Sequence, residues 1–298
     1  MYMALTKETI SPLIIGTMRL GTWGSQLSTS EYEKFIEGCL ELGLKDFDHA
    51  DIYGHYTTEE DFGNVLKSRN DLREKMRITT KCGIKLISHN RPNHNVKSYD
   101  LSPKHILESV DLSLENLKTD YIDVLLLHRP DYLFNPHEIA EVFEKLKQSG
   151  KVLEFGVSNF SPSQFDLLHA ITPLVTNQVE ISVLQRSAFE DGTLDQCLKH
   201  NVIPTAWSPL GGGSLFGKTT SQEMEAIKNV LNTLGEKYDA AHDQILYAWL
   251  RKHPAGIIPV LGTSKLERIQ TAHKALDINL THEEWYMLWE AAIGREID

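Results

Sequence analysis

Eight short runs of aliphatic and β-branched residues recur along the chain, and apolar residues fall at helical spacing between them. The runs are Leu13–Gly16, Lys45–Asp48, Arg77–Lys81, Ile122–His128, Leu153–Ser158, Leu174–Glu180, Val202–Trp207 and Gly256–Gly262. Tyr32, Phe35, Ile36, Cys39 and Leu40 form one helical stripe, and Ile106, Leu107, Val110, Leu114 and Leu117 a second. Ile139, Val142, Phe143 and Leu146 form a third. Ser102-Pro103 and Ser161-Pro162 place a capping hydroxyl before a proline at the first helical position, and Gly43 and Gly150 follow stripes where a left-handed cap favours glycine. Strands alternating with helices predict parallel βαβ units with right-handed crossovers. Eight of them, with no block left over, predict an α/β chain forming one domain over residues 1–298, closed as a (β/α)8 TIM barrel. Counting alone leaves an open doubly wound sheet as the alternative. Lys85–Leu101, rich in His, Asn and Pro, reads as one long surface loop.

Composition narrows the function classes. The 298 residues carry 30 Lys and Arg against 41 Asp and Glu, a formal net charge of −11, so nothing global draws the chain to nucleic acid or anionic lipid. Cys39, Cys82 and Cys197 are scattered and form neither a disulfide framework nor a Cys-based zinc site. Met1–Ser11 lacks the apolar core of a secretory signal, and the purest apolar run, Val124–Leu127, is far short of the ~20 residues of a membrane span. The expectation is a cytoplasmic protein with a small-molecule substrate, no nucleic acid and no membrane.

Position points to chemistry. Asp48 ends the second run, Lys81 the third and His128 the fourth. In a parallel barrel all three emerge at the end where βα loops build active sites. Tyr53, five residues after Asp48, is close enough to fold back over the same mouth. Any one of these residues reads equally well as a cap, a solvated charge or a packed ring; together they form a proton-donating cluster for a carbonyl oxygen. A phenol with pKa near 10 is a poor acid at neutral pH, and a nearby lysine cation is expected to lower that value while Asp48 keeps the lysine charged. A neutral His128 can orient the carbonyl and donate to its developing charge. No side chain delivers hydride, so a nicotinamide cofactor is required. Asp48, His49, Asp51 and His128 also invite a metal reading, which the Lys81 cation among them opposes.

Six stretches in order make the chain similar to the aldo-keto reductase superfamily. They are Phe47-Asp48-His49-Ala50-Asp51-Ile52-Tyr53-Gly54, Thr80-Lys81, Leu126-Leu127-His128-Arg129-Pro130, Gly156-Val157-Ser158-Asn159-Phe160, Asn177-Gln178-Val179-Glu180 and Trp207-Ser208-Pro209-Leu210. The resemblance implies Tyr53 as proton donor, Lys81 and Asp48 as its tuning pair and His128 as the carbonyl-orienting residue. It further implies that Ser158, Asn159 and Gln178 hold the nicotinamide carboxamide, that Trp207 stacks on the ring, and that Gly16 and Thr17 approach cofactor and substrate through their backbone. Trp23, Tyr56, Arg129 and the tail residues Trp285, Tyr286 and Trp289 are candidates for the pocket rim, though helix packing is the stronger reading of the tail.

Two further segments concern phosphate. Gly212-Gly213-Ser214-Leu215-Phe216-Gly217-Lys218-Thr219 satisfies the P-loop pattern G-x-x-x-x-G-K-[ST], so a nucleotide triphosphatase is a rival. In the reductase reading Ser208, Leu210, Gly211, Gly212, Gly213 and Lys218 instead attend the cofactor pyrophosphate. Gly262, Ser264, Lys265 and Arg268 open a helix after the last strand and suit an adenosine 2′-phosphate, which favours NADP(H) over NAD(H). Thr271-Ala272 stands where relatives often carry Glu-Asn against adenine. The glycines after the first run, Gly16, Gly21 and Gly24, do not make a dinucleotide fingerprint. The resulting expectation is an NADPH-dependent aldehyde or ketone reductase; the alternative is a cofactor-sensing regulatory subunit on the same barrel, as in potassium-channel β subunits.

Overall fold

A computed structural model describes residues 5–218 and 221–298. Its strands are β1 (Ile14–Gly16), β2 (Asp46–Asp48), β3 (Arg77–Cys82), β4 (Ile84–Lys85), β5 (Ser98–Tyr99), β6 (Ile122–Leu127), β7 (Val152–Ser158), β8 (Thr176–Glu180), β9 (Ile203–Trp207) and β10 (Ile258–Leu261). Eight of them close in the order β1-β10-β9-β8-β7-β6-β3-β2, with every neighbour parallel. This is the (β/α)8 barrel, and the open-sheet alternative is excluded. A strand covered on both faces is nearly all apolar, and β6, Ile-Asp-Val-Leu-Leu-Leu, is buried at every position, its single charge at Asp123 being paired.

The helices form where the local signals place them. Ser28 and Glu31 make a reciprocal capping box at the start of Thr29–Glu41, whose Tyr32, Phe35, Ile36 and Cys39 face the barrel. Ser102 and Ser161 cap the helices Pro103–Leu117 and Pro162–His169 from just before their prolines. The tail helix His282–Ile293 turns its aromatic face inward: the Trp249 and Trp285 rings stack at 5.0 Å and 7°. Each of those indoles also donates to the other's backbone carbonyl, at 3.0 and 3.1 Å. The tail therefore packs on the barrel's outer helices and does not line the pocket.

Charged strand residues are paired near the barrel's N-terminal end, Asp46 with Arg77 at 2.8 Å and Asp123 with Arg73, from the 3-10 turn before β3, at 2.7 Å. The Lys85–Leu101 segment departs from the expected plain loop. β4 and β5 pair antiparallel, Ile84 opposite Tyr99 and Lys85 opposite Ser98, because the ends of the excursion are covered and their amides need partners. No helix among the described residues is long and apolar enough to cross a membrane.

Candidate active site

Asp48 closes β2, Lys81 lies one residue before the end of β3, and His128 follows β6 directly. These three strands are neighbours in the barrel, so the side chains emerge side by side at its C-terminal mouth. Lys81 is fully buried, and each of its three ammonium protons has an acceptor. Nζ donates to Asp48 Oδ2 at 2.7 Å, to the His49 carbonyl at 2.8 Å and to Tyr53 Oη at 3.2 Å. The Tyr53 and His128 rings stand edge to face at 6.1 Å and 80°.

Tyr53 is brought back over the mouth by an unusual turn. Gly54, His55 and Tyr56 have φ of 59°, 58° and 72°, three successive left-handed residues of which two carry a Cβ. Such a conformation costs of order 1–3 kcal/mol per non-glycine residue and persists only when neighbours impose it. Here the hairpin excursion does so: Leu86 N–H donates to Tyr56 Oη at 2.8 Å, and Asn90 Nδ2 donates to the His55 carbonyl at 2.9 Å.

Electrostatics settles the protonation states. Burial pulls the Lys81 ammonium toward neutrality, but Asp48 and Tyr53 together outweigh it and its pKa is raised, so the lysine is a cation. Burial pushes the Tyr53 phenol up, and Lys81 pulls it down only in part; the net shift is upward. The expected lowering of the phenol is therefore not what the structure shows, because desolvation of a phenolate here exceeds the attraction of a lysine already shared with Asp48. A phenol that keeps its proton is an acid, the form a carbonyl oxygen needs. Burial, with Lys81, Arg129 and Lys97 adding to it, holds His128 well below its usual 6.5, so the imidazole is neutral. Its Nδ1 is buried and has no hydrogen-bond partner among the described residues.

Ser158, Asn159, Gln178 and Trp207 form one network on the next strands. Ser158 Oγ donates to the Gln178 carbonyl at 2.9 Å, and Asn159 Nδ2 donates to Ser158 Oγ at 2.8 Å. Trp207 Nε1 donates to Asn159 Oδ1 at 3.0 Å, and Gln178 Nε2 donates to Asp48 Oδ1 at 3.0 Å. A hydroxyl and two amides supply the donors and acceptors a nicotinamide carboxamide requires, beside the tetrad, so the donor set fits that group. The link from Gln178 to Asp48 is invisible in sequence, where 130 positions separate them.

Gly16 and Thr17 have packing duties of their own. A Cβ at Gly16 would lie 2.8 Å from the Leu261 carbonyl oxygen, and Thr17 Oγ1 donates to the Asp48 carbonyl at 3.0 Å. His49 turns away from the mouth, against Thr17 at 3.0 Å and edge-on to Phe62 at 4.5 Å.

The glycine segment is a 3-10 turn over Gly211–Phe216, with Gly211, Gly212 and Gly213 at φ of 59°, 65° and 86°. Gly211 N–H bonds the Ser208 carbonyl at 2.8 Å, and half-buried Leu210 packs against two of the core clusters. In a P-loop the lysine and the hydroxyl residue open the helix. Here Leu215, in the middle of the pattern, is buried, and the next helix begins only at Gln222, capped by Ser221. Lys218 is exposed and lies before that helix, while Thr219 lies outside the described residues. The triphosphatase reading fails on this geometry.

Beyond β10, Gly262 is exposed and Ser264 shares a hydrogen bond with Ser25 from the loop after β1. Lys265 and Arg268 are exposed at the start of the helix Leu266–His273. A cavity of about 550 Å³, lined by Lys45, Arg77, Tyr121 and Gly150, opens among the strands' N-terminal ends, away from the tetrad.

The chain is a member of the aldo/keto reductase family, whose sequence profile matches residues 12–293. It is 41% identical to oxidoreductase YdhF of Escherichia coli over 96% of this chain and 95% of the relative. It is also 41% identical to a 6-dehydroglucose reductase of Agrobacterium fabrum, over 98% of this chain and 97% of the relative. Among solved structures it resembles a glycerol dehydrogenase from Gluconobacter oxydans, with a TM-score of 0.84 and 26% identity over 97% of this chain and 94% of that one. The chain is accordingly an oxidoreductase of the aldo-keto reductase type.

Proposed function

We propose that this protein is an NADPH-dependent reductase of aldehydes or ketones, with Tyr53 as the proton donor. The observation that carries the reading is the Lys81 ammonium shared between Asp48 and Tyr53 beside a neutral His128. When bound, the nicotinamide supplies the hydride that no side chain can provide. Ser158, Asn159 and Gln178 hold its carboxamide and Trp207 offers an indole face to its ring. Gly16 and Thr17 border cofactor and substrate. Ser208, Leu210, Gly211, Gly212, Gly213 and Lys218 attend the pyrophosphate; Gly262, Ser264, Lys265 and Arg268 attend the 2′-phosphate.

The protein's own part in the reaction is positional and electrostatic. His128 orients the carbonyl oxygen by a hydrogen bond. Tyr53 gives that oxygen its proton as negative charge builds there, and the adjacent Lys81 cation stabilises the phenolate left behind. Asp48 keeps Lys81 charged and aimed. A relative named for 6-dehydroglucose and a structural neighbour named for glycerol support a small oxygenated substrate.

The test is NADPH oxidation with a panel of small aldehydes and ketones, alongside Tyr53→Phe. The variant should keep the cofactor's quenching of tryptophan emission while reduction falls by ~100-fold or more. Full turnover in Tyr53→Phe would remove the phenol from the mechanism. Quenching by ATP, with no response to NADPH, would remove the cofactor assignment.

A further inference from the structure

In a chain of formal net charge −11, the mouth beside His128 carries two cations, Arg129 and Lys97, that form no ion pair among the described residues. Arg129 directly follows His128 and is half-buried, and among the described residues its side chain has no ion pair and no hydrogen bond. The guanidinium lies 5.6 Å from the centre of the Trp207 ring, which keeps the side chain at the mouth. The neighbouring Asp131 makes no ion pair with it and is engaged by backbone amides. Asp131 Oδ1 accepts the Leu133 N–H at 2.9 Å and Oδ2 accepts the Leu101 N–H at 3.1 Å.

Lys97, in the hairpin excursion, is exposed and has no ion pair among the described residues; it lines an open cleft with Tyr99, Asp131 and Tyr132. Three cations on the neighbouring strand and in the excursion are engaged. Lys85 pairs with Asp100 at 3.5 Å, Lys81 with Asp48 at 2.7 Å, and Arg91 Nη1 donates to the Asn90 carbonyl at 3.0 Å. An exposed lysine is well hydrated and gains little from an ion pair. Arg129 is half-buried as a residue and its planar fork, which has no acceptor among the described residues, matches a carboxylate or phosphate.

Resting on the reductase reading, we propose that Arg129 anchors the substrate and that the substrate class is an aldehyde or ketone bearing an anionic group, carboxylate or phosphate. Arg129 takes no part in proton or hydride transfer. It places the carbonyl at His128 and Tyr53 by holding the far end of the molecule, with Lys97 adding a weaker attraction from the rim. A site built for a charged hydrogen bond rejects the neutral analogue, since the analogue leaves the guanidinium desolvated and unpaired.

The experiment compares NADPH-dependent kcat/KM within two pairs: succinic semialdehyde against butanal, and glyceraldehyde 3-phosphate against glyceraldehyde. The anionic member of at least one pair should be preferred by ~10–100-fold, chiefly through KM, and the pair showing the gap tells carboxylate from phosphate. Arg129→Gln should bring that ratio toward one, and Arg129→Lys should restore part of it. Because the ratio is taken within one protein, partial misfolding of a variant cancels.

Ratios within about threefold for both pairs in the unaltered protein overturn the inference. So does a ratio that survives Arg129→Gln. If Arg129→Gln weakens NADPH binding, followed by tryptophan emission, and leaves the ratio intact, the guanidinium serves the cofactor and the inference is also lost. Reduction of neutral and anionic carbonyls alike sinks this inference but spares the reductase reading, whereas reduction of none sinks both.

Discussion

Gln178 Nε2 donates to Asp48 Oδ1 at 3.0 Å, while the other oxygen of the same carboxylate holds Lys81 at 2.7 Å. A residue assigned to the carboxamide and the lysine assigned to the phenol thus share one buried anion. Disturbing one side of Asp48 is felt on the other.

Lys81→Met leaves Asp48 buried without its counter-ion and should cost about 3–5 kcal/mol in urea unfolding, with loss of carbonyl reduction. Adding Asp48→Asn removes the stranded charge and should recover most of that stability without restoring turnover. Losses that simply add in the double variant would show that the two groups act separately.

The protonation states set a pH profile. Tyr53 is raised above 10.0 and His128 lies well below 6.5, so neither changes charge across neutrality. Turnover should be level between about pH 6 and 8 and fall on the alkaline side as the phenol loses its proton. An acidic limb centred near 6.5 that disappears in His128→Gln would show the imidazole titrating normally.

Away from the site, Glu284 anchors the tail helix. It is buried and accepts from Lys237, from Tyr238 at 2.7 Å and from the Thr281 backbone at 2.7 Å. Burial pushes its pKa up, but these bonds prevail and bring it from 4.5 down to about 2. A folded-state pKa below the unfolded one means stability present above about pH 4.5 and lost as pH falls toward 2. Glu284→Gln should therefore cost on the order of 1–3 kcal/mol at pH 7 and almost nothing at pH 2, measured by thermal unfolding across that range. A penalty independent of pH would assign the loss to packing instead.

Cofactor choice is tested at the helix after β10. Arg268→Ala should weaken NADPH by roughly 10-fold and NADH far less, because only the former carries a 2′-phosphate for the guanidinium. Equal losses for both cofactors would reject the assignment.

The eight strands and the helices between them are legible in the chain because period, caps and prolines are local: Ser102, Ser161 and the apolar run of β6 behave as their neighbours require. The tetrad is legible for a related reason. Parallel strands share one direction, so a residue at a strand's end has a known end of the barrel. The P-loop rival and the plain-loop reading of Lys85–Leu101 fail for a shared cause as well. The P-loop pattern describes letters and not φ angles, and the Gly211–Phe216 turn closes on a buried Leu215 instead of opening a helix. The hairpin of β4 and β5 hides in a polar stretch because its pairing partners lie 15 residues apart at Ile84 and Tyr99.

What the amino-acid order determined by itself was the barrel, its direction and the four side chains at its mouth. Only the tertiary structure decided their charges: whether Tyr53 is a raised or a lowered phenol depends on how much water is excluded around it. It likewise decided that Gln178 meets Asp48 and that Arg129 forms no ion pair among the described residues. Desolvation and pairing are properties of distance between remote parts of the chain, and that distance exists only after the barrel has closed.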